Sequence, residues 1–385
     1  MKKVTTLVCS LIVAAAGLAR AQEAKVVIPG TVRGELAIPI SLSGFTGEVD
    51  SVLRFDLFVQ GFAITSDGAA YQVSGSNNGQ VQGRLSDAVT KQQIFGKAYS
   101  GASLRTQAHA LADDIVEAVT RRKGIGRTKI AFKSDKGSSS EVYIADFDGH
   151  NAVATTADGS IVAAPTWVPG RRTLYYTSYK LNNPDIFVHH LDSVERAVVA
   201  RYSGLNTSAA VSPDGRRVAM ILSKSGSPNV WVADADGSNL KQLTTTREGD
   251  SSPCWSPDGQ TICFSSRASG RSALHLVPAG GGAMRRLSVV GTPNATEPDW
   301  SPDGKTIVFT AQMGSFQICT VPASGGEATV VAAGEDPSWA PNSRTVVFAL
   351  RSGGKRILSM LDVPTKRVKQ LPAISGSCSQ PSWSK

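Results

Sequence analysis

The sequence predicts an α+β multidomain protein: a small N-terminal α/β domain followed by a six-bladed β-propeller that the C-terminal strand closes. Three observations carry this. A tryptophan-centred phrase recurs with a period near 44 residues, at Trp167, Trp255, Trp300, Trp339 and Trp383, with Val211 filling the same slot in "SAAVSPDGR". Successive spacings are 44, 44, 45, 39 and 44. Each anchor is followed by a turn and an apolar strand, then by further strand and turn signals, and four strands per 40–45 residues mark a propeller blade. Finally, two incomplete fragments complement each other. The last anchor, "CSQPSWSK", has no strand after it, and "TKIAFKS", "EVYIADFDG" and "NAVATT" have no anchor before them. Joined, they make a sixth blade and leave the ring without an exposed sheet edge.

From the start, residues 1–21 read as an export signal. Lys2 and Lys3 precede an apolar run from Leu7 to Leu18, and Ala19-Arg20-Ala21 places small residues where a signal peptidase requires them. The run falls short of the roughly 20 apolar residues that span a bilayer. Cleavage after Ala21 makes the mature chain an exported soluble protein. It removes Lys2, Lys3 and Arg20, leaving 37 basic against 31 acidic residues, a balance of +6. With 41% hydrophobic and 18% charged residues the chain is globular. No dense Lys/Arg run or basic-aromatic stripe argues for nucleic acid.

Residues 22–123 do not repeat and read as the α/β domain. "AKVVI" and "ELAIPISLSGF" are strands, and Val49, Val52, Leu53, Leu57 and Phe58 recur at helical spacing. Strand-like stretches follow in "AYQVSG", "GQVQGRLSDAV" and "QQIFGKAYSG". Leu104, Ala108, Leu111, Ile115 and Val119 mark the apolar face of an amphipathic helix that Gly124 should stop. Two helices on a mixed sheet result. "GIGR", residues 124–127, is a hinge into the propeller at 128–385.

In the blades, Pro253, Pro298, Pro337 and Pro381 stand two residues before their tryptophans, where a missing N–H is tolerated. Ser-Pro-Asp-Gly is tight-turn chemistry. Asp214, Asp258 and Asp303 are therefore turn residues, not catalytic acids. "DFDG" and "DADG" lack the remaining ligands of a calcium loop. No metal or cofactor site is expected. Four cysteines remain in the mature chain, Cys254, Cys263, Cys319 and Cys378, in no zinc spacing. Cys254 and Cys263 flank a tight turn, so a cross-hairpin disulfide and buried free thiols both stay open. His189 and His190 point to opposite sides of a strand and cannot chelate together.

The order of these parts, and especially "LRTQAHALADDIVEAVTRRKGIGRTKIAFKS" with "SKSGSPNVWVADADGSNLKQLT", resembles the TolB family, periplasmic propeller proteins of the Tol–Pal envelope system. The resemblance implies a non-enzymatic, monomeric scaffold in the periplasm, peripheral to membranes, that supports outer-membrane integrity and constriction during division. It implies two partners. A TolA-like inner-membrane protein would engage the N-terminal segment Gln22, Glu23, Ala24, Lys25, Val26, Val27 and Ile28, by strand addition. A Pal-like peptidoglycan-associated lipoprotein would sit at the propeller mouth, lined by Leu205, Asn206, Ser208, Asp250, Ser251, Thr296 and Glu297. These mouth residues could equally bond their loops to the neighbouring blade. Two rivals stand beside this reading. A peptidase-like enzyme would need a Gly-x-Ser-x-Gly elbow, which "GRSAL" does not supply. A stand-alone ligand-binding propeller would need convergent charges at its mouth.

Overall fold

The computed structural model describes residues 34–371, 374 and 376–385. The expected export signal, residues 1–21, and the segment from Gln22 to Ile28 lie outside them. Among the described residues no helix is long and apolar enough to cross a membrane.

The N-terminal domain is a five-stranded mixed sheet. Its elements are β1 (Ile38–Ser43), α1 (Gly47–Val59), β2 (Phe62–Ile64), β3 (Tyr71–Ser76), β4 (Gln82–Asp87), β5 (Gln93–Ala98) and α2 (Leu104–Thr120). The sheet order is β2-β1-β3-β4-β5. β1 runs parallel to β2 and β3, and the rest is antiparallel. Both helices bury their apolar stripes in one core with the sheet, through Val49, Leu53, Leu57, Leu111 and Ile115. Ser103 caps α2, its hydroxyl accepting from the Thr106 N–H at 3.1 Å. The helix stops earlier than Gly124. Arg121 adopts the left-handed conformation at φ 60° and donates its N–H to Glu117 O, so a non-glycine residue ends it.

Residues 124–127 do not behave as a free hinge. Ile125 is fully buried, and the Gly126 N–H donates to Asp113 Oδ1 at 2.8 Å. A side chain at Gly124 would collide with Asp113. The linker is packed into the α2 surface.

Six four-stranded antiparallel sheets then form the ring. Their innermost strands are Val162–Trp167, Asn206–Val211, Asp250–Trp255, Ala295–Trp300, Glu335–Trp339 and Ser377–Trp383 for blades one to six. Blade six joins Ser377–Trp383 to Lys129–Lys136, Ser139–Asp146 and Val153–Ala154, so the two chain fragments close the ring as the sequence required. The second strand of each blade is apolar on both faces because neighbouring blades cover both. In Thr261–Ser266, Ile262, Cys263 and Phe264 are all fully buried.

The repeated phrase is scaffold in atomic detail. In "SPDG" the serine hydroxyl donates to the aspartate carboxylate and accepts the N–H of the next strand's first residue. Ser212–Asp214 is 2.6 Å, Ser256–Asp258 2.5 Å and Ser301–Asp303 2.7 Å. These bonds lower the pKa of Asp214 and Asp258. Trp255 Nε1 donates to Ala210 O of the preceding blade at 2.8 Å, and Trp167 Nε1 to Ser382 O at 3.1 Å, so anchors tie blade to blade. Cys254 and Cys263 face one another in register, yet both are free and buried, as are Cys319 and Cys378.

Close blade contact also fixes Gly237, in the outer turn of blade two. Its φ is +90°, and a Cβ would stand 2.2 Å from Val199 O of blade one. Gly237→Ala is expected to cost about 2 kcal/mol, since strain and a backbone clash add. Denaturant unfolding checks this, and an unchanged midpoint would refute the contact.

Candidate functional site

The innermost strands surround a channel of about 520 Å³. In every blade the strand pairing slips by a bulge three residues before the anchor. The bulged residues are Ala164, Ser208, Ser252, Glu297, Asp336 and Gln380, and all six are left-handed, with φ between 49° and 56°. The next residue is proline in five blades and Ala209 in the other, so the register break costs few N–H groups. All six bulged residues line the channel. The repeat thus builds a ring of equivalent positions and leaves its chemistry to whatever side chain stands there.

Four of the six positions are linked into a relay. Glu297 Oε2 accepts the Asp336 N–H at 3.0 Å and the Thr310 hydroxyl at 2.7 Å. Asp336 Oδ2 accepts the Gln380 N–H at 3.0 Å, and Gln380 Oε1 accepts the Ala164 N–H at 2.9 Å. Burial, reinforced by the charge of Glu297, pushes the Asp336 carboxyl up to about 7. Toward the face where the inner strands begin, Glu335 is gripped by Arg351 at 2.8 Å and Arg356 at 2.6 Å. Burial alone would raise its pKa, but the two guanidinium groups outweigh it and hold it lowered. At the opposite end Lys385 Nζ lies 3.0 Å from Asp299.

The residues expected at the mouth divide. Ser208 and Glu297 line the channel. Ser251 is exposed, and Leu205 and Thr296 are half-buried at the strand starts. Asn206 and Asp250 are buried, and their side chains are spent on their own loops. Asn206 Oδ1 accepts the Tyr202 N–H at 2.9 Å, and its amide donates to Pro184 O at 3.0 Å and Tyr202 O at 2.8 Å. The Asp250 carboxylate accepts the Thr244 and Thr246 hydroxyls at 2.5 and 2.9 Å. Both hold the loop between blades and offer no free polar atom. The sequence reading passed over Ala164, Asp336 and Gln380. Aligning the repeats on the tryptophan and reading three residues back would have found them.

The chain is similar to known proteins across this ring. The family model of the TolB beta propeller domain matches residues 116–385. The chain belongs to the TolB family. Among curated relatives, the Tol-Pal system protein TolB of Bordetella pertussis is 34% identical over 167 residues, 43% of this chain and 38% of that protein. The Tol-Pal system protein TolB of Bordetella avium is 31% identical over 259 residues, 58% of each chain. The matched part therefore spans less than two thirds of these TolB relatives' own lengths. The crystal structure of TolB from Acinetobacter baumannii superposes with a TM-score of 0.82 at 22% identity, covering 91% of this chain and 98% of that one. At that identity it speaks for the TolB fold of both domains and not for a shared activity.

One further polar group lies away from the channel. Asp56, His109 and Asp148 bring ligand-type atoms within 4.8 Å of one another. The Arg105 guanidinium is already paired with Asp148 there, supplying the positive charge a cation would bring.

Proposed function

We propose that this chain is a non-enzymatic periplasmic scaffold of the Tol–Pal envelope system. The match of the entire propeller to the TolB family carries the reading. The export-type leader supports it, as do relatives named Tol-Pal system protein. In this role the mouth holds a peptidoglycan-associated lipoprotein against Leu205, Ser208, Ser251, Thr296 and Glu297. The segment from Gln22 to Ile28 engages a TolA-like inner-membrane protein by strand addition. Together they couple the outer membrane to an inner-membrane motor during envelope constriction.

The chemistry fits binding better than turnover. The channel acids are committed to backbone amides, and Asp336 and Glu297 hold neighbouring blades in register. The experiment is a calorimetric titration of the purified chain with the soluble domain of the host's peptidoglycan-associated lipoprotein. A deletion of residues 22–29 is titrated in parallel with the periplasmic domain of the TolA-like protein. Micromolar or tighter binding to the first, and loss of the second on deletion, are expected. Absence of lipoprotein binding would overturn the reading.

A further inference from the structure

We propose that Asp56, His109 and Asp148 form a proton-gated clasp that fastens the N-terminal domain to the sixth blade. The three residues come from α1, α2 and the turn after Ser139–Asp146. All three are buried, with Asp56 at 0% and Asp148 at 2% exposure. His109 Nδ1 and Asp56 Oδ2 are 2.7 Å apart. An ionised carboxylate only accepts, so Nδ1 carries the proton there. The other ring nitrogen, Nε2, faces Asp148 Oδ2 at 3.6 Å and has no hydrogen-bond partner; Asp56 Oδ1 has none either. At 3.6 Å no hydrogen bond exists. In neutral His109 a lone pair therefore opposes a carboxylate in a dry junction, an arrangement that costs free energy. A second proton reverses the sign. The imidazolium then donates to Asp56 through a charge-assisted bond and attracts Asp148 across 3.6 Å, so it faces a carboxylate of each domain.

The surroundings favour that proton. From α1 come Asp56 and Glu48, the latter 3.1 Å from Arg105. From α2 come Asp113, bonded to the Gly126 N–H, and Arg105, which pairs with Asp148 and opposes the proton. The blade turn supplies Asp148, His150 Nδ1 at 3.4 Å from Asp148, and Asp146 paired with Lys129. Phe147 seals the imidazole edge at 5.5 Å between ring centres. Burial resists charging His109, but the hydrogen bond and charge of Asp56, with the charge of Asp148, outweigh it and raise its pKa. Burial likewise pushes Asp56 up to about 6. Both groups thus hold protons more firmly folded than unfolded, where histidine titrates near ~6.5 and aspartate near ~3.9. The contribution of His109 is complete below about 6.5 and is lost as pH rises through its folded value. Asp56 must stay ionised to accept the Nδ1 proton, so its own protonation, at about 6, sets the lower edge of the window in which the imidazolium pair is complete. The clasp tightens on mild acidification and loosens toward alkaline pH.

The test compares the full chain with His109→Gln, whose amide still donates to Asp56 but cannot charge. Amide exchange over residues 105–116 and 145–150 is followed from pH 5.5 to 8, normalised for intrinsic rates. Protection in the parent is expected to fall about tenfold across this range. The variant should change less than twofold, and protection in blade three should be constant in both. Equal pH slopes in parent and variant would overturn the clasp. Asp148→Asn keeps the test decisive if His109→Gln folds poorly. It removes one of the two charges that favour the second proton and should move the transition to lower pH; an unmoved transition counts against the proposal. A chelator should leave the curve in place, and a shift on adding one would replace the proton with a metal ion.

Discussion

Ending the chain at Gly376 is expected to leave no stable propeller. The strand Ser377–Trp383 is the innermost strand of blade six, paired from Ser377↔Asp135 to Trp383↔Ile130. Without it, blade six keeps three strands and presents a raw edge to the channel, while blade five loses its neighbour. A shared core opens with it. Trp383 is 1% exposed, packs with Phe147 at 6.5 Å, and lies in one cluster with Ile130, Phe132, Ala340, Met360 and Cys378. Its Nε1 donates to the Thr128 hydroxyl at 2.8 Å, and its N–H to Ser338 Oγ of blade five at 3.2 Å. Phe55 and Val59 of α1 join this cluster, so the damage reaches the N-terminal domain. The milder Trp383→Ala leaves the strand and should cost about 3–5 kcal/mol, the range for emptying a buried aromatic site. Circular dichroism melting checks both. A truncated chain that melts with the parent's midpoint would show that the ring does not depend on this closure.

That dependence was legible in the sequence because it follows from counting. Anchors at a fixed period can be tallied, and an anchor without strands at one end matches strands without an anchor at the other. The helices were equally readable, since Leu111 and Ile115 repeat at the spacing that buries one face. What escaped the sequence was whatever depends on atoms brought from far apart. Arg121 rather than Gly124 ends α2, because a left-handed residue needs only a stable hydrogen bond behind it, and Glu117 O supplies one. His109 looked unremarkable within an amphipathic helix. It gains meaning only where Asp56, 53 positions earlier, and Asp148 of the propeller meet it. The bulge ring escaped for another reason. Its residues share a backbone shape but no side-chain type, so no letter repeats. Asn206 and Asp250 stand where the repeat places them, ahead of the anchor, with their polar atoms bonded to their own loops, the alternative that the sequence left open.

That distinction yields the second large effect. Asn206→Ala and Asp250→Ala are expected to lower stability by about 2–3 kcal/mol each and to leave lipoprotein affinity unchanged at temperatures where the chain is folded. Asn206 satisfies the Tyr202 N–H and the carbonyls of Pro184 and Tyr202. Truncation strands these buried groups, at roughly 1–3 kcal/mol for an unsatisfied one, and leaves a gap besides. Removing Asp250 similarly takes away the shorter acceptor of Thr244 and Thr246, leaving them the longer contacts to Asn229 Oδ1 at 3.3 and 3.2 Å. Ser251→Arg should do the reverse. Its side chain is exposed at the start of an inner strand, so a long cation disturbs no packing. It would cross the surface on which the proposed partner rests, weakening affinity at least tenfold, a loss of about 1.4 kcal/mol or more, while the melting midpoint holds within a degree or two. The paired measurement, calorimetric affinity and thermal midpoint on all three variants, separates scaffold from surface. Should Asn206→Ala keep its midpoint and lose affinity, Asn206 would return to the binding face. Should Ser251→Arg bind as the parent does, the partner must rest elsewhere on the ring. The logic rests on the repeat itself: positions that must bond blade to blade are already spent, and a partner can use only what the repeat leaves exposed.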